Sequence, residues 1–445
     1  MTTSSRILSM LLLLASAATV RAQDSTQDTV ISRPITLGDA ARIGSRQNAT
    51  AIQARFRTEQ ANARITQSRA ELLPSASGYA AENGRSFNTA TFGIPFPGFD
   101  PRGQVIGPVN IFDVRGRVSE TFLDFGAFQR VKAARTTARA FDATAENEAE
   151  ISAQNAASAY LRAQRADAQL GARQADSVLA DSLFGIAREE LRAGVGVALD
   201  VTRAQSQFAS VRAQLIVARN ERDRARLDLL RALGQPLTAT VSLADSLTRL
   251  ELRDTTIDEG SAIETAMRAR PDLRAADEQI RAAEQLVKSI RAERLPSLSA
   301  FGDYGAIGDQ RLLGTYDWGV QVSIPIFDGF RREGRIQEAK AMASEIDVRR
   351  RDLRQQAAIE VRGALLDLAS ARQAADAVRE ALRLAQQEVA QAQERFRAGV
   401  AGNADVITAS LALNSARTQV VDALASYQGA KVALARAVGS VTALP

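Results

Sequence analysis

Leu191-Arg192-Ala193-Gly194-Val195 returns, 205 residues on, as Phe396-Arg397-Ala398-Gly399-Val400. At the same spacing Asp200-Val201 returns as Asp405-Val406, and Arg231-Ala232-Leu233-Gly234 as Arg436-Ala437-Val438-Gly439. Earlier in each half, Arg69-Ala70-Glu71-Leu72-Leu73-Pro74-Ser75 matches Arg291-Ala292-Glu293-Arg294-Leu295-Pro296-Ser297, now 222 residues apart. A unit of this size is far longer than the ~20–50-residue period of a solenoid. The chain therefore reads as a duplicated half-molecule, with a loop absorbing the change of spacing. Two halves that superimpose imply internal pseudo-symmetry, which suits a ring or a tube.

The segments outside these landmarks sort by pattern. Arg6, the apolar run Ile7 to Val20 and Val20-Arg21-Ala22 before Gln23 predict a secretory signal over residues 1–22; the alternative is a buried N-terminal helix. After it no apolar run approaches the ~18–20 residues of a membrane helix, so any integral membrane contact must come from a closed barrel. A first repeat is expected over 23–234, with helices 38–72, 127–192 and 199–233 and strands 75–88 and 109–124. A Gly/Pro/Phe-rich loop, residues 92–99, separates those strands. A polar linker, 235–259, leads to a second repeat over 260–445, with helix 260–294, strands 297–307 and 315–326, and helices 330–398 and 403–438. The 66 positions from Ala127 to Arg192 hold no Pro and would span about 100 Å as a helix.

The strands alternate with period two. Tyr316, Trp318, Val320, Val322 and Ile324 interleave with Thr315, Asp317, Gly319, Gln321 and Ser323. Phe112, Val114, Gly116, Val118 and Phe122 do the same with Asp113, Arg115, Arg117, Ser119 and Thr121. One apolar and one polar face with aromatics near the ends is the pattern of a membrane β-strand with a wet lumen. A soluble sheet packed on helices would alternate in the same way. The signal, the absence of a membrane helix and the long helices favour the barrel. Four strands cannot close one, since about eight are needed. Three copies of the chain would supply twelve and enclose a pore, whereas two would leave little room inside. Leu413, Val420, Tyr427 and Leu434 repeat every seven residues, as do Ala409, Ala416, Ala423, Ala430 and Ala437. Such a repeat drives coiled-coil packing, and a seam of Ala lets backbones approach.

Composition narrows the chemistry. The chain has no Cys and no His, which removes the usual zinc, haem and iron–sulfur ligand sets and every nucleophile–imidazole pair. Its 51 Asp and Glu lie opposite Arg on helical patterns, as solvated faces do. No enzyme, cofactor or metal site is expected. The formal charge of +5 falls to +3 without Arg6 and Arg21, and only four of 56 basic residues are Lys. No basic run with interleaved aromatics marks a nucleic-acid groove.

The chain resembles the outer membrane efflux protein (TolC) family over about residues 34–440, duplication included. The resemblance rests on Arg270-Pro271-Asp272-Leu273 and on the two Leu-Pro-Ser turns into strands. It rests also on the turns Phe122-Leu123-Asp124-Phe125-Gly126 and Ile326-Phe327-Asp328-Gly329-Phe330, and on both hairpin tips. It implies a mainly α fold with a small membrane β-barrel: four strands per chain completing twelve in a trimer, over a tunnel of long antiparallel helices. It implies an outer-membrane location with a large periplasmic part. The function it implies is the passive exit duct of a tripartite efflux or type I secretion system. Its partners would be two further copies, outer-membrane lipid, a periplasmic adaptor and an inner-membrane pump.

At the tips, Arg192, Gly194, Val195, Gly196, Arg397, Gly399, Val400 and Gly402 are expected to reverse the helices and meet the adaptor; the glycines also read as plain helix ends. Asp405 matches a family position whose three copies form an acidic ring, and Asp200 one that holds hairpins closed. Each also reads as a helix N-cap. Phe396 stands where a Tyr hydroxyl could bond across the tip, Ala401 where some members carry Arg, and Thr408 where a second acid is expected. Tyr316, Trp318, Val320, Val322 and Ile324 are the expected lipid face. A scaffold of coiled coil and small sheet, in the periplasm or anchored at the surface, is the competing class.

Overall fold

Long stretches rich in Ala, Arg and Gln favour helix because Ala loses no side-chain entropy and straight-chain residues lose little. The computed structural model describes residues 34–92, 102–247, 257–309, 311–398, 400 and 402–445. The predicted signal, most of the loop at 92–99, Gly399 and Ala401 lie outside them. In chain order the elements are α1 (Leu37–Gln47), α2 (Ala49–Ala70), β1 (Ser75–Asn88), β2 (Val105–Leu123), α3 (Phe125–Arg192) and α4 (Ala198–Leu233). The second half follows with α5 (Glu259–Ala269), α6 (Pro271–Ala292), β3 (Ser297–Gly308), β4 (Leu313–Ser323), α7 (Arg331–Arg397) and α8 (Asn403–Val438). At 68 and 67 residues, α3 and α7 each run about 100 Å.

Two expected helices are each broken in two. Residues 38–72 divide at Asn48, whose side chain caps α2 by accepting from the Thr50 amide at 2.9 Å. Residues 260–294 divide at Arg270, held extended (φ −63°, ψ 122°) because the ring of Pro271 disfavours helical geometry in the residue before it. Both breaks lie against the end of the half's last helix. Gly234 (φ 70°) and Gly439 (φ 79°) close α4 and α8 in the left-handed conformation that Gly adopts without strain. Asn48 Nδ2 donates to the Ala232 carbonyl at 3.0 Å, and Arg270 Nη1 to that of Ala437 at 3.2 Å. Positions 232 and 437 are equivalent in the duplication, so the repeated Arg-Ala-x-Gly motif marks the place where a helix end is clasped by a helix break.

The coiled-coil wall forms where the seven-residue repeats lie. Leu413, Val420, Tyr427 and Leu434 are buried on α8, as are Ala204, Val211 and Ala218 on α4. The α3–α4 and α7–α8 hairpins pack along their lengths, and α8 also lies against α3. The linker is not a free spacer. Leu243 bridges Ile35, Leu247 is fully buried, and the Tyr160 hydroxyl donates to Ile35 O (3.0 Å) and Asp245 Oδ2 (2.9 Å). Burial pushes that phenol well above its ordinary pKa. The C-terminal end is tied down by buried Glu150, which accepts from the Val441 amide and the Thr442 hydroxyl at 2.9 and 2.7 Å.

The four strands form one antiparallel sheet in the order β1-β2-β3-β4. β2 begins at Val105, earlier than expected, and β4 ends at Ser323, so Ile324 lies just past it.

Candidate functional site: a two-faced sheet and paired hairpin tips

The register sorts the sheet's side chains. Ala76, Val118, Gly302 and Trp318 stand in one cross-strand row, and Ala80, Val114 and Ala306 in another on the same face. Tyr316, Trp318, Val320, Val322 and Ile324 are 59–75% exposed, so among the described residues nothing covers their apolar groups. Glu120, opposite Ala300, interrupts this face close to a register shift at Thr121/Leu123. At the strand–helix junctions Phe122, Phe125, Phe128, Ile326, Phe327 and Phe330 are exposed as well. Phe327 and Phe330 meet edge to face at 5.5 Å, and Phe330 carries a left-handed backbone (φ 62°). Such aromatic belts sit at membrane–water interfaces.

The opposite face is polar and largely self-neutralised. Arg115 grips Asp113 with two hydrogen bonds (2.8 and 2.6 Å) and reaches Asp303 at 3.5 Å. The Arg117 guanidinium lies 5.1 Å above the Phe301 ring. That ring lies over Gly319, where an added Cβ would come within 3.0 Å of it. The aromatic side chain is thus laid along the sheet, under one strand's cation and over the next strand's glycine.

The tips repeat each other closely. The Val195 amide donates to Glu190 O at 3.1 Å, and the Val400 amide to Arg395 O at 3.0 Å. Of the four tip glycines expected to supply reversal, Gly194 does so with φ 74°. Gly196 instead allows a close pass of Glu190 and Leu191, with a Cβ only 3.0 Å from each. Gly402 is extended (φ −85°, ψ 161°) just ahead of α8, and Gly399 lies outside the described residues. Val195, Val400 and Arg397 are exposed, Phe396 is half-buried, and Arg192 pairs with Glu189 at 2.7 Å.

Neither aspartate is an N-cap. Val197 and Gly402 hold those positions, while Asp200 and Asp405 lie in the first turn of α4 and α8. There the helix dipole still favours their charge. Asp405 is exposed; Asp200 is half-buried and stands 3.8 Å from Arg203.

Two features carry no sequence signal strong enough to flag them. Buried Asn403 donates from Nδ2 to the Asp200 carbonyl at 3.4 Å, joining the two tips. Higher in the wall, wholly buried Asp176 of α3 accepts from Arg417 of α8 at 2.6 Å and from Arg173 at 3.2 Å. A lone Asp in an Arg-rich helix gives no hint of such a partner 241 residues away.

A sheet with two open edges and an exposed apolar face, carried on two pairs of long helices, has the architecture of outer-membrane channels built from helical hairpins. The chain matches the family described as outer membrane efflux protein over residues 45–235 and 262–440, and it belongs to that family. That family is one of outer-membrane efflux channels, not of enzymes. Protein CyaE of Bordetella pertussis is 27% identical over 293 residues, 64% of this chain and 61% of that protein. The match therefore spans under two thirds of that relative. The Campylobacter jejuni CmeC outer membrane channel superimposes with TM-score 0.75 at 20% identity, over 91% of this chain and 85% of that one. A membrane protein from Pseudomonas aeruginosa gives 0.76 at 21%, over 91% and 92%.

Proposed function

We propose that three copies of this chain close a twelve-stranded barrel, which continues into a helical tunnel in the periplasm. This assembly is the passive exit duct of a tripartite efflux or type I secretion system. The observation that carries this reading is the sheet itself. It has one uncovered apolar face, one face of paired charges, and β1 and β4 each hydrogen-bonded on one side only. An unpaired flat edge invites another chain, and lipid admits a sheet only when it is closed.

The helices below support the same arrangement. They neighbour one another in the order α2, α3, α6, α7, and the outer two expose Ile52 and Phe56 on α2 and Ile359 and Leu366 on α7. Those side chains would meet across copies. The exposed Val195 and Val400 at the tips suit docking of a periplasmic adaptor, with energy supplied by an inner-membrane pump. The test is direct. Detergent extraction of outer membranes should yield trimers that conduct ions in planar bilayers. A soluble periplasmic monomer or dimer would support a scaffold instead.

A further inference from the structure

The two halves differ where α3 and α7 leave the sheet. Asp124 and Asp328 occupy the same place in the two junctions, 204 residues apart. At that spacing Lys132 and Arg135 correspond to Ile336 and Ala339. The second half buries Ile336 and Ala339 against Val287 and Ile290 of α6, closing its helix pair at that level. The first half carries two cations there, and between α2 and α3 it leaves a groove of about 640 Å³.

Lining this groove are Arg69, Lys132, Arg135 and Arg139 beside Leu72, Leu73 and Phe128. Among the described residues none of the four cations makes an ion pair, although neighbouring Arg130 is held by Glu71 at 2.6 Å and Asp124 at 3.1 Å. Like charges gathered in one groove cost free energy unless a counter-charge sits between them.

The order of side chains along α3 states what that counter-charge is. Phe125, Phe128, Lys132, Arg135 and Arg139 recur at helical spacing, so they share one stripe. The aromatics lie next to the sheet and the cations below them. Helical side chains lean toward the N-terminus, which for α3 is the membrane end, so the cations lean back toward the aromatics. Apolar groups at the bilayer edge with cations about one to three turns farther from it match the depth profile of a lipid leaflet, acyl chain first and phosphate next.

We propose that this groove binds an anionic phospholipid of the periplasmic leaflet, its phosphate held by Lys132, Arg135, Arg139 and Arg69 and its acyl chain by Leu72, Leu73 and Phe128. The proposal rests on the barrel reading above, and it assigns one such lipid to each chain because the second half has closed the equivalent place.

The test uses the full-length trimer in nanodiscs of phosphatidylcholine with and without phosphatidylglycerol, reading retained lipid by native mass spectrometry after mild detergent exchange. The wild type should retain up to three phosphatidylglycerols per trimer. The K132Q/R135Q/R139Q variant should retain at least about tenfold less, given the contribution of each cation at an anionic surface. An R331Q/K340Q variant, removing cations near the start of the second half's long helix, should match the wild type. Displacement of the lipid by millimolar inorganic phosphate would overturn the lipid assignment in favour of a phosphate site. Equal retention by wild type and triple variant, in trimers that still conduct, would overturn the site and leave the channel standing. Failure of the wild type to form trimers would overturn both.

Discussion

Arg270 shows how much one side chain holds. It is 3% exposed, and its guanidinium binds Asp272 (3.1 and 2.6 Å), Glu360 (2.6 Å) and the Ala437 carbonyl (3.2 Å). Burial alone would raise the Asp272 pKa, but Arg270 more than reverses this and holds it below the ordinary range. Such a carboxylate stabilises fully above its unfolded pKa of about 3.9, and that stabilisation fades as pH falls through the lower folded value. Arg270→Ala leaves Asp272 enclosed without its partner and should cost about 3 kcal/mol or more. It should also move the acid limb of unfolding to higher pH, as followed by circular dichroism across a pH series. At the tip, Asp405 is exposed in the first turn of α8 and is not its cap, so its removal should leave α8 intact. Three such carboxylates around an axis would draw cations. Asp405→Ala should therefore weaken divalent-cation block of the channel current, while costing no more than about 1 kcal/mol of stability from the lost helix-dipole interaction. A block equal to wild type would remove Asp405 from the tunnel mouth.

Elements were legible to the extent that their signals are local. Period-two alternation marks β2 and β4, and the repeat Leu413, Val420, Tyr427 and Leu434 on α8 coincides with residues the structure buries, because both periods follow directly from backbone geometry. The break at Pro271 is readable from proline chemistry. The break at Asn48 is not, since an Asn inside an Arg- and Gln-rich run looks like any exposed helical residue. Its cap role depends on Ala232, 184 residues away. The linker misleads for a similar reason: its polar composition hides Leu247, which finds its core only in three dimensions. The lipid face gives the element-scale prediction. Val320 is 66% exposed on the apolar face and Gln321 follows it on the polar one. Val320→Arg should cost roughly 2–4 kcal/mol at mid-bilayer depth, and Gln321→Arg little. Urea unfolding of the protein in detergent or lipid measures both. Equal costs would mean that the two faces meet the same solvent.

The whole molecule is where a single chain's sequence is least informative, because closure is a property of three copies and no residue pattern states their number. The edges nevertheless make it measurable. Within one chain β1 and β4 are separated by two intervening strands, three steps of ~4.8 Å, or about 14 Å. In a closed barrel β4 of one copy lies a single step from β1 of the next. Because the chain contains no Cys, thiols introduced at these edges report without background. Ala80→Cys on β1 combined in turn with Trp318→Cys, Val320→Cys or Val322→Cys on β4 scans the register, all four positions lying on the apolar face. A bis-maleimide too short for two strand steps cannot bridge the edges of one chain. In native membranes it should yield covalent dimers and trimers at one or two adjacent registers, with trimer as the largest product. Cross-linking that stops at dimers would give eight strands and close the pore. Open-ended ladders would mean that the edges meet without closing a ring, and the barrel would be lost with them.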